Sequence, residues 1–237
     1  MAYIENPKSK GSGIDCAIPQ KGRCPTGCDD CFFQSGRSFL EPLEKNLPNL
    51  PPNNPHRVIR VNDGNDSNID RKLVISSTDH YPLRFFNTSI PVLAFPAPVV
   101  LTINPGNITD TEFHKVEPPK NLMFVRIRAN TWNIDRVVEP AIEYYTTREI
   151  PVILTFMAYF NKKVPPEHAD YYIFRTRTTN SYWAITTKAW EDIMARYKYN
   201  KWVYSCGKIE GERGITACRH CGNCLREYFA TLCRMEG

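Results

Sequence analysis

Short apolar runs separated by polar, glycine-bearing or proline-bearing turns recur along most of this chain. The runs at 14–18, 57–61, 83–90, 99–103, 122–128 and 151–156 are rich in Val, Ile, Leu and Phe with little polar alternation. Strands buried on both faces of a parallel sheet have this pattern. Between the runs the period changes. Residues 69–78 form a predicted helix capped by Ser67 or Asn68. Residues 133–148 form another, with Ile134, Val137, Val138, Ala141, Ile142 and Tyr145 near helical spacing, and with Pro140 either kinking it or marking its start. A brief helix is expected within 38–45, followed by a proline-rich connector at 46–55. Six strands joined by crossovers predict an α/β fold whose parallel sheet curls into a partial TIM-like barrel, a (βα)6 arrangement. After the sixth run, 160–179 is polar and irregular, and 188–196 is helical, with Ile185, Trp190, Ile193 and Tyr197 turned to the barrel. The domain boundary is therefore expected near 160, with the barrel over 1–160 and a helical, cysteine-bearing metal-binding extension over 161–237.

Composition narrows the function classes. Hydrophobic residues make up 42% and aromatics 12%, enough to exclude a disordered chain. No run approaches the roughly 18 apolar residues of a membrane span, and the first residues lack a signal-peptide core. A soluble, cytoplasmic protein without a membrane partner is expected. Thirty basic residues against 25 acidic ones give a charge of +5 with no polybasic run, which permits a nucleic-acid partner without indicating one. The nine cysteines fall in two groups, at 16–31 and 206–233. Disulfide scaffolds are cysteine-dense throughout, so this distribution predicts two metal sites in a reducing compartment.

The first group holds Cys24, Cys28 and Cys31, a C-x3-C-x2-C spacing on a Gly/Pro loop. Three thiolates are one short of the four that an iron–sulfur cubane takes, leaving one iron for a ligand that is not protein. Structural zinc is the alternative, with Cys16 as the fourth ligand. The spacing, followed by the aromatic Phe32, resembles the cluster loop of the radical S-adenosylmethionine (radical SAM) superfamily.

That resemblance covers about residues 10–160 and implies a partial barrel with the cysteine loop just beyond its first strand. It implies a 4Fe-4S cluster on Cys24, Cys28 and Cys31 whose free iron chelates the amino and carboxylate groups of S-adenosyl-L-methionine. Reductive cleavage to a 5'-deoxyadenosyl radical would abstract hydrogen from a substrate, with electrons from a donor such as flavodoxin or ferredoxin. Gly64, Asn65 and Asp66 occupy the place of the family's Gly-Gly-Glu-like segment and differ from it in sequence. Asp66 or Asp63 would accept from the cofactor's ammonium, and Gly64 would let backbone approach. An Asx-rich turn capping the next helix is the other reading of these residues. Asn104 is placed near the ribose hydroxyls, Arg128 (in preference to Arg126) near the methionine carboxylate, and 156–159, including Met157, near the adenine. Barrel-wall packing or surface charge is the ordinary alternative for each. Tyr159, Tyr81 and Cys16 are candidate donors near the pocket.

The second group, Cys206, Cys218, Cys221 and Cys224, is a full first shell for structural zinc or a second 4Fe-4S cluster. Its C-x2-C-x2-C end is ferredoxin-like, and its order, with Gly211 and Gly214 in the intervening loop, resembles in outline the auxiliary-cluster extensions of some radical SAM enzymes. Lys208, Arg213 and Arg219 surround it in sequence. His220 is expected to face solvent, and Cys233 to be a plain helix cysteine. Two readings compete with the enzyme. One is a two-zinc module binding nucleic acid or protein through residues such as Arg175, Arg177, Tyr182, Trp183, Lys198, Lys201 and Trp202. The other is an iron–sulfur electron-transfer protein.

Overall fold

The computed structural model describes residues 2–28, 31–33, 35–104, 115–156, 158–160, 163–178, 180–207 and 218–237. Six strands fall on the expected apolar runs: β1 (Ile14–Ala17), β2 (Val58–Val61), β3 (Arg84–Thr88), β4 (Val99–Ile103), β5 (Leu122–Ala129) and β6 (Val152–Phe156). After β6 the chain makes a small antiparallel sheet of β7 (Ala158–Tyr159), β8 (Tyr172–Arg175) and β9 (Tyr182–Ile185), ordered β7-β9-β8. It then adds β10 (Val203–Ser205) beside β6 as the seventh strand of the main sheet. All six pairings in that sheet are parallel and follow chain order. The polar, irregular expectation for 160–179 is corrected here, since β8 lies within it. The main sheet also draws a strand from beyond 160.

Helices lie where the pattern changes period. They are α1 (Leu43–Asn46), α2 (Arg71–Thr78), α3 (Glu139–Thr146), α4 (Thr187–Arg196), α5 (Cys218–Cys221) and α6 (Asn223–Glu236). The expected caps of α2 are not used. Asp70, in a left-handed conformation, precedes the helix without a side-chain cap; Asn68 Oδ1 accepts from the Arg71 guanidinium at 3.0 Å, and its Nδ2 donates to Thr88, Ile90 and Val92. Pro140 stands at the second position of α3, preceded by a π-helical turn over Ile134–Val138. That placement spares the proline an interior clash. Thr186 caps α4 by accepting from the Ala189 amide.

The two faces of the main sheet differ. On one, Val61, Phe86, Leu101, Ile127 and Leu154 pack with Val74 of α2, Val138, Ala141, Ile142 and Tyr145 around α3, and Ile193 of α4. On the other, Ile14, Val58, Phe85, Val100, Phe124 and Ile153 receive Tyr228 of α6. The first turn of α6 reaches both edge strands. Asn223 Nδ2 donates to the Ser205 carbonyl of β10 at 3.1 Å. The Leu225 side chain lies so near Gly13, just before β1, that a Cβ there would sit 3.1 Å from it. Seven parallel strands laid flat would hold their edges about 29 Å apart, so the sheet bends around α6. Among the described residues no helix is long and apolar enough to cross a membrane.

Candidate metal and cofactor site

Parallel strands in chain order send every strand's carboxyl end to one edge of the sheet, the edge where ligands bind in open α/β folds. The cysteine loop leaves β1 there, the turn at 62–66 leaves β2, Asn104 follows β4, Arg128 lies near the end of β5, and Cys206 follows β10. Ile103 pairs with Ile127, so Asn104 and Arg128 each lie one residue beyond the last paired positions of β4 and β5. Arg128 also pairs with Thr155 across β6. Asn104 is buried and Arg128 half-buried.

The cysteine loop is folded around Thr26. Cys24 Sγ lies 2.9 Å and Cys28 Sγ 3.5 Å from its hydroxyl, so the two sulfurs face each other across one side chain. Burial pushes the Cys24 thiol up from its ordinary range, against the hydrogen bond from Thr26. Cys31 packs with Cys24, Phe33, Leu40 and Leu43 in a small apolar cluster under the loop. Phe33 then lies directly over Gly64, where a Cβ would come within 2.3 Å of the ring. Glycine at 64 is thus what lets the cysteine loop seat on the turn after β2.

That turn fixes itself tightly. Asp66 Oδ1 accepts from the Asn68 amide and the Thr88 hydroxyl, and Oδ2 from the amide and hydroxyl of Ser89, all at 2.6–2.9 Å. Asn65 Oδ1 accepts from the Asp66 amide at 2.9 Å. Both oxygens of Asp66 therefore brace the ends of β2 and β3, the local turn role open to this segment. Asp63 remains directed inward, accepting from Asn6 Nδ2 and pairing with Arg60 at 2.7 Å.

Arg60 connects this turn to the second cysteine group. It is 7% exposed; its Nη2 donates to Cys16 Sγ at 3.2 Å and its Nη1 to Cys218 Sγ at 3.9 Å. Cys16 is wholly buried, and its sulfur also meets Ser9 and Asn6. Burial pushes its thiol up to about 12 against the pull of Arg60. Its sulfur is turned to Arg60 on the inner face, rather than to the cysteine loop that a zinc site with Cys24, Cys28 and Cys31 would require. Cys224 is likewise pushed up to about 12 by burial, opposed by Arg126 and then Arg60, with Cys206 and Cys218 near enough to add to the rise. Cys221 is half-buried on α5, His220 is exposed, and Cys233 is exposed on α6. Lys208, Gly211, Arg213, Gly214 and Met157 lie outside the described residues, as does the Arg219 side chain.

Other candidate donors separate. Tyr81 belongs to the opposite face, where its hydroxyl donates to the Pro51 carbonyl at 2.6 Å, which removes it from the pocket. Tyr159 instead packs at the carboxyl edge against Trp132, ring centroids 5.0 Å apart, and Tyr172. The small sheet bearing it is docked on the cysteine loop. Arg37 lies over the rings of Phe160 and Tyr182 at 4.8 and 4.4 Å, and Asn180 donates to the Ser35 carbonyl.

Among the described residues no three His, Cys, Asp or Glu side chains lie close enough to hold a single metal ion. A lone zinc ion would need sulfurs gathered about 2.3 Å from one point, whereas an iron–sulfur core is several ångströms across and is held by thiolates spread around it. Cys24 and Cys28, both beside the Thr26 hydroxyl, supply thiolate donors of the kind that either group takes. Comparison with protein-family models, curated proteins and solved structures finds no match to the chain.

Proposed function

We propose that this protein is a radical SAM enzyme, its bent parallel sheet the partial barrel of that class and its C-terminal cysteines a second metal centre. The observation that carries the reading is the C-x3-C-x2-C loop at the carboxyl end of the first strand of a chain-ordered parallel sheet, seated through Phe33 on Gly64 of the turn after the second. Cys24, Cys28 and Cys31 would hold a 4Fe-4S cluster. Such a cluster would supply the electron for reductive cleavage of S-adenosylmethionine. The chain's own residues do the rest. The backbone of 64–66, shaped by the hydrogen bonds of Asp66, presents polar groups to an ammonium. Arg128 offers a guanidinium for a carboxylate, and neighbouring Asn104 offers an amide for hydroxyls. Trp132, Tyr159 and the small sheet cover the carboxyl edge beside the loop and exclude water from it.

The test is anaerobic reconstitution with iron and sulfide, then dithionite and S-adenosylmethionine, with mass spectrometry for 5'-deoxyadenosine and methionine. Both products are expected from the intact chain and neither from Cys28→Ala. A fully iron-loaded chain that yields neither would sink the reading.

A further inference from the structure

We propose that Arg60 is a positioning residue of the C-terminal cysteine centre, donating to Cys218 and balancing thiolate charge there while Asp63 holds its guanidinium in place. The inference rests on the reading that Cys206, Cys218, Cys221 and Cys224 belong to a metal centre. An arginine in the middle of the four-residue strand Val58–Val61, whose residues are all buried, is costly unless anions surround it. Asp63 supplies one, at 2.7 Å. Both terminal nitrogens also point to sulfur, Nη1 to Cys218 and Nη2, shared with Asp63, to Cys16, while Nε has no partner among the described residues.

A second cation sharpens the balance. Arg126 lies on the same inner face, meets the Asn87 amide oxygen at 3.4 Å, and pairs with no carboxylate among the described residues. It also lies within electrostatic range of Cys224. Two guanidiniums and one carboxylate leave a surplus positive charge beside cysteines that are neutral as free thiols. Thiolates bound to a metal would cancel it, and an N–H donor to a ligating sulfur both orients the ligand and tunes its basicity. The same arginine ties that centre to the first one. Asp63 adjoins Gly64, on which Phe33 of the cysteine loop rests, so a short chain of packed and bonded groups runs from Cys218 to the N-terminal loop.

The experiment uses the full chain carrying Cys28→Ala, so that the C-terminal centre is observed without an intact N-terminal one. This parent is loaded anaerobically with iron and sulfide, or with zinc, and the loss of metal to a chelator is timed. Two variants in that background are compared: Arg60→Met with Asp63→Asn, which removes the ion pair as a unit, and Arg60→Lys, which keeps the charge but not the fork. The double variant is expected to hold its metal about 10–100-fold less well, with Arg60→Lys between it and the parent. If iron is bound, the double variant's midpoint potential is expected to fall, because the charges of the pair cancel on removal while the Arg60 N–H donor to the Cys218 sulfur, which stabilises the more negative reduced form, is lost. Equal metal retention with an unchanged spectrum overturns the proposal, and so does a parent that binds no metal at Cys206, Cys218, Cys221 and Cys224. Should the double variant fail to fold, Arg60→Lys decides: retention and spectrum like the parent's overturn it. Cofactor cleavage by the intact chain is scored separately, so failure of the radical reading with a normal Arg60 effect is a distinct result.

Discussion

The two cysteine groups emerge from opposite edge strands of one sheet and are built on opposite principles. The N-terminal three sit on an irregular loop, with Thr26 between Cys24 and Cys28 and an aromatic cluster beneath them. The nearest arginine of that loop, Arg23, turns outward to Glu41 and Glu44. The C-terminal cysteines follow β10 and ride on α5 and α6, with Arg60 and Arg126 fixed beside them on the inner face. A set of ligands that leaves room for an outside ligand can draw compensation from that ligand. A set that closes on itself needs its compensation from the protein. On the proposed function, this contrast would make the first group the reacting centre and the second a supporting one.

The largest effect expected is all-or-none. Cys28→Ala should abolish S-adenosylmethionine cleavage and remove iron from the first group only, whereas Cys224→Ala should leave the first group's iron in place. Iron and sulfide analysis of both variants checks this, and loss of all iron from either one would erase the distinction between the groups. Next in size is Arg60→Met alone, which leaves the half-buried Asp63 without its cation. Breaking a buried pair from one side costs about 3–5 kcal/mol, so urea unfolding of the metal-free protein should show a shift of that order. A shift well below 1 kcal/mol would mean that water reaches the pair and that the inner face is not the dry, compensated environment argued for it.

Gly64→Ala sharpens the comparison from the other side. Its new methyl would enter the Phe33 ring, and overpacking of this kind costs about 1–3 kcal/mol. The loop is more easily moved than the sheet, so Phe33 should be displaced. The N-terminal group should then lose iron while the C-terminal group keeps its own. Unaltered iron at the first group would show that the loop holds its ligands without resting on the turn.

Most of the sheet was legible because fully buried parallel strands are apolar runs cut by Asn, Gly and Pro, and all six expected runs became strands. The seventh was not, since β10 has three residues of which only Val203 is buried. Nor was β8 legible, because only Tyr172 of its four residues is buried and Ile173, Phe174 and Arg175 face solvent, leaving no alternation to detect. At the candidate site, the sequence could place the loop cysteines, Asn104 and Arg128 at the carboxyl ends of strands, and that placement holds. It did not single out Arg60, although a charged residue inside an otherwise apolar strand is the signal that could have found it. Its meaning depends on Cys218, 158 residues away, and only the bent sheet brings the two together. Asp66 shows the converse: a carboxylate at a cofactor-like position whose oxygens are taken by neighbouring turns, which sequence could not distinguish from one held ready for a ligand.

The smallest effect expected is the share of Cys16 in a dependence of stability on pH. Burial pushes its thiol up to about 12 in the folded protein, while in the unfolded chain it titrates near 8.5. Between those values the unfolded state has given up a proton that the folded state keeps, so stability falls as pH rises. It is fully present below the unfolded value. The slope for one such thiol is at most about 1.4 kcal/mol per pH unit. Urea unfolding of metal-free protein at pH 8, 9 and 10 should show this decline; Cys16→Ser should remove one thiol's share of it, while Cys24 and Cys224, which burial also pushes up, keep theirs. The window stops at 10 because the buried Tyr3, also raised by burial, would add its own titration above that. If Cys16→Ser left the decline unchanged, the Arg60 guanidinium at 3.2 Å would be holding the sulfur as a thiolate. The compensation ascribed to the C-terminal centre would then already be spent on Cys16, and the contrast between the two groups would have to be redrawn around it.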